Sequence, residues 1–408
     1  MMTLSLDMAQ TAAVAAVLLV IGDFIRGRVP LLSRYFIPGP IIGGLLFSLL
    51  ALAGHQSGTF AFQFDAGIRD FLLLAFFTTI GFSASFEMLK KGGVGVALFL
   101  GAAVGLVLLQ NVVGVGLAAA LGVHPLIGLA AGSVSLTGGL GTSAAFGPLM
   151  EQAGAAGALP AAIAAATWGL VTGSIIGGPV GSLLLRRHGL SGARRAGEAQ
   201  AMEKDEATAA AVLAASAPEP EDGAERTALH AIVLLALAMG LGTVLVNGLR
   251  DVGVVIPAYL GPMLVAALLR NLIDWRRGTL PEREFEQVGN VALAFFLAMA
   301  LMSMRLWEMA EVAGPLLVIL IAQTALMFAF AYFITFRVMG RDYDAAVISA
   351  GHCGFGLGAT PNAMANMQAF ATANGPSVKA FFVIPLVGSL FIDFFNAVII
   401  TGFMGALR

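Results

Sequence analysis

Long apolar stretches dominate this chain, and short polar segments separate them. A helix needs about 20 residues to cross a hydrocarbon layer of ~30 Å. Ten stretches satisfy this requirement: residues 8–25, 36–53, 68–86, 93–121, 157–185, 228–247, 256–272, 287–306, 312–336 and 378–403. The first stretch ends in Arg26 and Arg28 and lacks a small-residue cleavage site, so we interpret it as a membrane span. The pattern predicts an all-α polytopic membrane protein.

Composition supports this prediction. Hydrophobic residues make up 58% of the chain and charged residues only 11%, whereas soluble domains carry about 25% charged residues. The 51 glycines suit membrane helices that pack closely. The basic residues form no patch interleaved with aromatic residues, which argues against nucleic-acid binding. Cys353 is the single cysteine, so a disulfide framework is excluded.

Two further stretches, residues 124–149 and 343–370, are apolar at both ends but polar and glycine-rich in the middle. Each could cross the membrane, or enter it and return. If both return, 18 of the 22 lysine and arginine residues lie on one side, as expected of a cytoplasmic face. If the first stretch crossed, the basic residues after residue 185 would move outside and this bias would collapse. We therefore predict two re-entrant hairpins, with both termini outside the cytoplasm.

The two halves of the chain match at a constant spacing of 219 residues. The matched pairs include Ile37-Pro38 with Ile256-Pro257, Leu74–Phe77 with Leu293–Phe296, Gly139 with Gly358 and Gly169 with Gly388. Each half has five crossings, an odd number, so the second half enters the membrane from the opposite side. This predicts two inverted repeats, an architecture of secondary transporters.

The predicted domains are an N-terminal repeat over residues 1–185, a linker over 186–227 and a C-terminal repeat over 228–408. The linker segment holds 14 of the 46 charged residues up to residue 226, together with alanine runs. Such a composition favours a solvated cytoplasmic linker without a chemical role.

The two glycine-rich centres are the candidate binding site, because irregular backbone at membrane depth requires surrounding protein or a water-filled cavity. Free N–H groups at the start of each second half-helix suit a carboxylate. The alternative is that the glycines only permit close packing. The predicted substrate-binding residues are Thr137, Gly138, Gly139, Thr142, Ser143, Gly358, Ala359, Thr360 and Asn362.

Oxygen ligands for sodium are expected nearby. Asp393 is an acidic residue well inside the predicted crossing 378–403, where an ionised carboxylate is costly without a partner. Asn396 lies on the same helical face, and the two residues could bind sodium or hold a hairpin tip by hydrogen bonds. Gln110 and Asn111 could contact ion or substrate, or form interhelical hydrogen bonds. The predicted sodium-binding residues are Ser135, Gln110, Asn111, Gly354, Asp393 and Asn396.

Other polar residues carry weaker signals. His352 and Cys353 are adjacent without a third ligand, so we predict no transition-metal site. Arg305 and Glu308 are interpreted as an interfacial ion pair, and Arg69 could attract an anion at the outer edge. The sequence contains no catalytic triad and no nucleotide-binding loop. We therefore expect no enzyme and no cofactor, and uphill transport would need an ion gradient.

The segment Ala350–Gln368 closely resembles the second hairpin of the bacterial sodium/glutamate symporter family. Further segments that resemble this family are Ile37–Leu45, Arg69–Gly81, Gln110-Asn111, Ser133–Phe146, Gly340–Ala346 and Phe391–Asn396. Leu140 stands where the family pattern has a histidine, which weakens any role for a charged side chain there.

The resemblance implies sodium-driven import of L-glutamate across a bacterial inner membrane, with periplasmic termini. It also implies a homodimer whose transport domains carry both hairpins and move against a scaffold, as in an elevator. The tips Ser135–Ser143 and Gly354–Asn362, with Asp393 and Asn396, would surround the solute. The alternatives are a sodium-coupled citrate or dicarboxylate carrier, an ion channel with paired re-entrant loops, and a membrane-embedded enzyme.

Overall fold

A computed structural model describes residues 2–34, 37–91, 93–190, 224–251, 256–276, 278–309 and 312–407. The structure is 83% helical, which confirms the all-α class. Most of the predicted linker, residues 191–223, lies outside the described residues.

The first half of the chain contains nine helices. They are α1 (Met8–Arg28), α2 (Pro30–Arg34), α3 (Gly39–Ser57), α4 (Gly67–Ser83), α5 (Phe86–Lys91), α6 (Gly93–Ala120), α7 (Pro125–Val134), α8 (Gly139–Gln152) and α9 (Ala158–His188). The last five residues of α7, Ala130–Val134, form a π turn. The count covers the residues that the structure describes up to residue 190.

The described part of the second half contains eight helices and a short 3₁₀ turn at Leu306–Met309. The helices are α10 (Ala224–Asp251), α11 (Leu260–Trp275), α12 (Glu282–Met302), α13 (Ala313–Val338), α14 (Tyr343–Leu357), α15 (Thr360–Asn374), α16 (Val378–Leu390) and α17 (Ile392–Ala406). Helix α13 also contains a π turn, at Ala331–Thr335.

Seven described helices are long and apolar enough to cross a membrane: α1, α3, α6, α9, α10, α12 and α13. Helices α16 and α17 are bent by 45° and count as an eighth span if they cross together. Two of the ten predicted crossings correspond to shorter helices, α4 with 17 residues and α11 with 16. The multi-pass membrane class is thus confirmed.

A two-stranded parallel sheet was not expected from the sequence. Strand β1 (Met2–Leu6) pairs with β2 (Phe60–Phe64), with Met2 opposite Phe60. Helices α1 and α3 form the crossover that parallel strands require. Asp7 and Gln10 form a capping box at the start of α1, where each side chain accepts from the backbone of the other at 2.8 and 3.0 Å. The sheet therefore leads directly into the first long helix.

An ion-pair cluster around the buried Arg270 side chain joins α4 to α11 and α12. Arg270 donates from Nε to Asp274 Oδ2 at 2.9 Å and pairs through Nη1 with Glu282 Oε1 at 2.6 Å. Its Nη1 also lies 3.3 Å from the carbonyl oxygen of Phe82, and Ser85 Oγ donates to Asp274 Oδ2 at 2.5 Å. The Arg270 contact satisfies the Phe82 carbonyl at the end of α4, a group that an isolated helix leaves unpaired. The cluster also ties the first half of the chain to the second.

Helix α9 packs tightly against both interrupted segments. A Cβ atom on Gly169 would lie 1.8 Å from the carbonyl oxygen of Leu357 and 3.1 Å from Leu136 Cδ2. Only a residue without a side chain permits this approach. Gly178, further along the same helix, has nothing within 4 Å of such a Cβ atom.

We predict that Gly169→Ala lowers the thermal unfolding temperature of the purified protein in detergent. The added methyl group forces α9 away from Leu357, and overpacking of this kind costs about 1–3 kcal/mol. Gly178→Ala is the matched control. It should leave the unfolding temperature unchanged or raise it slightly, because alanine favours a helix by about 0.5–1 kcal/mol over glycine. Equal unfolding temperatures for the two variants would contradict the packing assigned to α9.

Candidate functional site

The two glycine-rich centres meet at the points where their helices are interrupted. The first break, residues 135–138, separates α7 from α8, and the second, residues 358–359, separates α14 from α15. A Cβ atom on Gly139 would lie 3.2 Å from the carbonyl oxygen of Gly358. Thr137 Oγ1 also lies 3.4 Å from the carbonyl oxygen of Gly356. The structure therefore brings together residues that lie 219 positions apart in the sequence.

Gln110 links the two breaks from the middle of α6. Its Nε2 atom donates to the carbonyl oxygen of Gly356 at 2.7 Å, and its Oε1 atom accepts from Thr137 Oγ1 at 2.7 Å. The Gln110 carbonyl accepts from Gln323 Nε2 on α13 at 2.7 Å. The Gln110 side chain thus makes the interhelical hydrogen bonds considered as the alternative to ion contact. The sequence pattern did not single out Gln323, because a lone amide in an apolar helix gives no spacing signal.

Asn111 and Asn396 support the π turn at the end of α7. Asn111 Oδ1 accepts from the Ser133 N–H at 2.9 Å. Asn396 Oδ1 accepts from Ser133 Oγ at 2.7 Å, and its Nδ2 atom donates to the Ser133 carbonyl at 3.1 Å. The backbone at Gly132 is not helical, with φ −94° and ψ −136°. Side chains from α6 and α17 therefore satisfy the backbone groups that the interruption releases.

Two serines close the first tip internally. Ser143 Oγ donates to the carbonyl oxygen of Gly139 at 2.7 Å and lies 3.0 Å from Ser135 Oγ. Ser135 Oγ in turn donates to the carbonyl oxygen of Ala130 at 2.5 Å. Both hydroxyl groups are fully buried, so in this conformation they stabilise the turn of the chain.

The second tip is held by α9. Asn362 Nδ2 donates to the Leu170 carbonyl and to Ser174 Oγ, both at 2.8 Å. Asn366 Nδ2, one turn later, donates to the Gly173 carbonyl at 2.8 Å. Asn362 Oδ1 is buried and has no hydrogen-bond partner among the described residues. It is therefore an oxygen atom available to a cation or a donor at the site.

The second half-helices both begin without a side-chain cap. The residues at the N-cap positions are Gly138 for α8 and Ala359 for α15, and neither makes a side-chain capping hydrogen bond. Gly138, Gly139, Ala359 and Thr360 are half-buried, whereas Thr137, Thr142 and Gly358 are buried. The accessible part of both tips is thus mainly backbone. Uncapped helix N-termini carry partial positive charge and free N–H groups, which suit a carboxylate.

Asp393 lies in the first turn of α17, one turn before Asn396. No hydrogen bond or ion pair links its carboxylate to another residue that the structure describes, and its side chain is partly buried. Of Asp393 and Asn396, only Asn396 forms hydrogen bonds to the first hairpin, at Ser133. Of the predicted sodium ligands, Asp393 is therefore the one whose oxygen atoms remain free.

His352 is occupied by a structural contact. Its Nδ1 atom lies 2.8 Å from Thr335 Oγ1 in the π turn of α13, and the ring packs against Phe99 and Phe355. In the described part of the chain, no group of three His, Cys, Asp or Glu residues could hold a metal ion.

Comparison with known proteins identifies the family. A family model described as sodium/glutamate symporter matches residues 4–376. The sodium/glutamate symporter of Haemophilus influenzae is 41% identical over 393 residues, covering 96% of this chain and 95% of that protein. The sodium/glutamate symporters of Escherichia coli and Shigella flexneri are each 41% identical over 402 residues, covering 97% of this chain and 96% of those proteins. This chain belongs to the sodium/glutamate symporter family.

Proposed function

We propose that this chain is a symporter that uses a sodium gradient to import L-glutamate across a bacterial inner membrane. Family membership confirms the transporter class predicted from the sequence and sets aside the enzyme alternative. The observation that carries the proposal is the approach of Gly139, at the uncapped start of α8, to the carbonyl oxygen of Gly358, which directly precedes the uncapped start of α15. Asp393 in α17 carries a carboxylate that has no partner among the described residues. This arrangement offers positive backbone dipoles to an anion and oxygen atoms to a cation.

An inverted repeat accounts for how the tips meet. Residues related by a pseudo-twofold axis contact each other only close to that axis. Thr137 lies against Gly356, and Gly139 against Gly358, and both pairs are separated by 219 residues. The contact of Gly169 with Leu136 is also matched, at the same spacing, by the contact of Gly388 with Phe355. These matches support two repeats whose hairpins enter the membrane from opposite sides.

Glutamate would bind with a carboxylate at the start of α8 or α15. The free N–H groups at the start of α8 follow Gly138, where the absence of a side chain allows close approach to the backbone. At the start of α15 the free N–H group is that of Thr360, because Pro361 has none and the Asn362 N–H donates to the Ala359 carbonyl at 3.0 Å. Thr137, Thr142 and Thr360 would add hydroxyl groups around the tips. The coupled sodium ion would take hard oxygen ligands. Asp393 forms no hydrogen bond or ion pair with a residue that the structure describes, and Asn362 Oδ1 is one of the buried oxygen atoms without a hydrogen-bond partner.

The helix packing supports a division into two moving parts. The hairpins pack with α6, α9 and α13, whereas α1, α3, α4, α10, α11 and α12 pack with one another. A Cβ atom on Gly141 would lie 3.1 Å from Leu293 and 3.5 Å from Phe76, so the first tip faces the second group. We propose that the hairpin group moves as a transport domain, in an elevator mechanism, against a scaffold through which two copies form a homodimer. The linker would be cytoplasmic and both termini periplasmic.

Gly358→Val should abolish uptake of labelled glutamate into proteoliposomes with an inward sodium gradient. The added side chain would fill the point where two backbones and the solute meet, because a Cβ atom there already lies 3.0 Å from the Gly354 carbonyl. Gly116→Val on α6 is the control, since nothing lies within 4 Å of a Cβ atom at that position. Normal uptake by Gly358→Val would show that the glycine serves packing alone.

Asp393→Asn should remove the dependence of uptake on sodium while leaving the protein folded. The substitution keeps the shape of the side chain but removes the charge that a sodium ion requires. Asp251→Asn, at the exposed end of α10, should behave like the unmodified protein. Initial rates measured across a range of sodium concentrations, with citrate and dicarboxylates as competitors, test both coupling and substrate class. An unchanged sodium dependence would exclude Asp393 from the ion site, and preferential transport of citrate would favour the alternative carrier.

A further inference from the structure

A cavity of about 450 Å³ lies beneath β2, at the ends of α3 and α12 and the start of α4. Its lining residues include Arg69, Arg305, His55, Trp307, Asp65 and Ser303. None of the lining residues belongs to the hairpin tips or to α17. By the predicted topology, this cavity opens on the periplasmic side.

We propose that this cavity is a second, outer binding site for an amino dicarboxylic acid, which collects the substrate before it reaches the tips. The identity of the ligand rests on the proposed function, whereas the site itself rests on the charges and shape of the cavity. Arg69 and Arg305 would bind the carboxylates, and Asp65 would bind the ammonium group.

Both guanidinium groups keep donors available to a ligand. Arg69 uses Nε and Nη2 on one oxygen of Asp70, at 3.0 and 2.9 Å, and Arg305 uses Nη1 on Glu308 Oε1 at 3.2 Å. A guanidinium has five N–H donors in a planar fork that matches a carboxylate. Asp70 and Glu308 do not line the cavity. Its wall thus contains two cationic side chains and one carboxylate.

The remaining walls suit the hydrocarbon part of such a ligand. The rings of His55 and Trp307 are stacked, with centroids 4.0 Å apart and planes 7° apart. They form a flat surface beside the apolar residues Met299 and Met302. Sites for small molecules typically have volumes of about 300–1,000 Å³ and combine apolar walls with a few placed polar groups.

We expect this cavity to contribute to the capture of the substrate and not to bind it tightly. The Arg305 side chain is 64% exposed, and ion pairs near water are weak and screened by salt. The two arginines nevertheless outnumber the one carboxylate in the wall, and such an excess of positive charge raises the local concentration of an anionic solute. Glu308 Oε2 also accepts from the Gly157 N–H at 3.3 Å, so the cavity wall is joined to the start of α9, the helix that supports both tips.

The first test is thiol labelling of Ser303→Cys, which places a cysteine in the cavity wall. The native Cys353 is buried, so the new thiol supplies the signal. We expect an anionic methanethiosulfonate to react faster than a cationic one, and millimolar glutamate to slow the reaction. Gly248→Cys, exposed at the end of α10, is the control and should show neither effect.

The labelling is repeated in the Gly358→Val background, where the tips are blocked under the proposed function. Protection by glutamate that persists there supports an independent outer site. Protection that disappears, absence of charge preference, or protection by glycerol phosphate in place of glutamate would overturn the proposal. Normal transport by Gly358→Val would contradict the proposed binding site at the tips but not the outer site. Failure of the proposed function and failure of the outer-site proposal are therefore distinguishable.

The second test compares Arg69→Gln/Arg305→Gln with Arg250→Gln, an exposed arginine outside the cavity. At low ionic strength we expect the double variant to raise KM for glutamate about threefold or more, with the maximal rate little changed. This difference should shrink as choline chloride is added, because salt screens steering. A KM and a salt dependence equal to those of Arg250→Gln would overturn the proposal.

Discussion

Backbone groups that a helix interruption releases inside a membrane cannot be left facing lipid. Each unpaired backbone group costs several kcal/mol in hydrocarbon. The net free energy of unfolding of a protein is only about 5–15 kcal/mol, so one such group removes a large part of it. The structure meets this constraint by placing the two interruptions against each other and surrounding them with amide side chains. Asn111 and Asn396 satisfy the backbone of Ser133 just before the first break. Gln110 satisfies the Gly356 carbonyl just before the second break, and Asn362 joins that break to α9. Helix α9 must lie against both breaks at once, and this requirement explains its tight glycine contacts.

The same constraint explains how a site forms with few charged residues. Where the amide side chains satisfy the ends of the first half-helices, the second half-helices still begin at Gly138 and Ala359 without caps. Under the proposed function, the unpaired N–H groups at these starts would bind a solute that brings its own negative charge. A carboxylate ligand would then complete hydrogen bonding that the protein leaves incomplete. Asp393 would act in the opposite sense, since its charge is best stabilised when a cation is bound.

The sequence predicted the apolar spans and both polar centres well, because hydropathy and composition are properties of single segments. The contacts between the two centres could not be predicted from the sequence, although the 219-residue spacing indicated that the two centres are equivalent. Gln323, Asn366 and Ser133 were not assigned roles, since their function depends on distant partners. Arg270 entered the sequence analysis only as one of the basic residues on the cytoplasmic side. Nothing in the local sequence pattern indicates that Asp274 and Glu282 are its partners. The strand Met2–Leu6 is too short for its alternation to be distinguished from an irregular terminus.

We propose that the two interrupted hairpins enter the membrane from opposite sides and meet within it. The most direct test of this arrangement is the labelling of single cysteines at the bases of the hairpins with a membrane-impermeant thiol reagent. Gln152 at the end of α8 and Ala373 at the end of α15 are both exposed, and each can be replaced by cysteine in intact cells and in inverted vesicles. If the hairpins enter from opposite sides, Gln152→Cys reacts only from the outside and Ala373→Cys only from the cytoplasmic side. Reaction of both cysteines from the same side would contradict this arrangement.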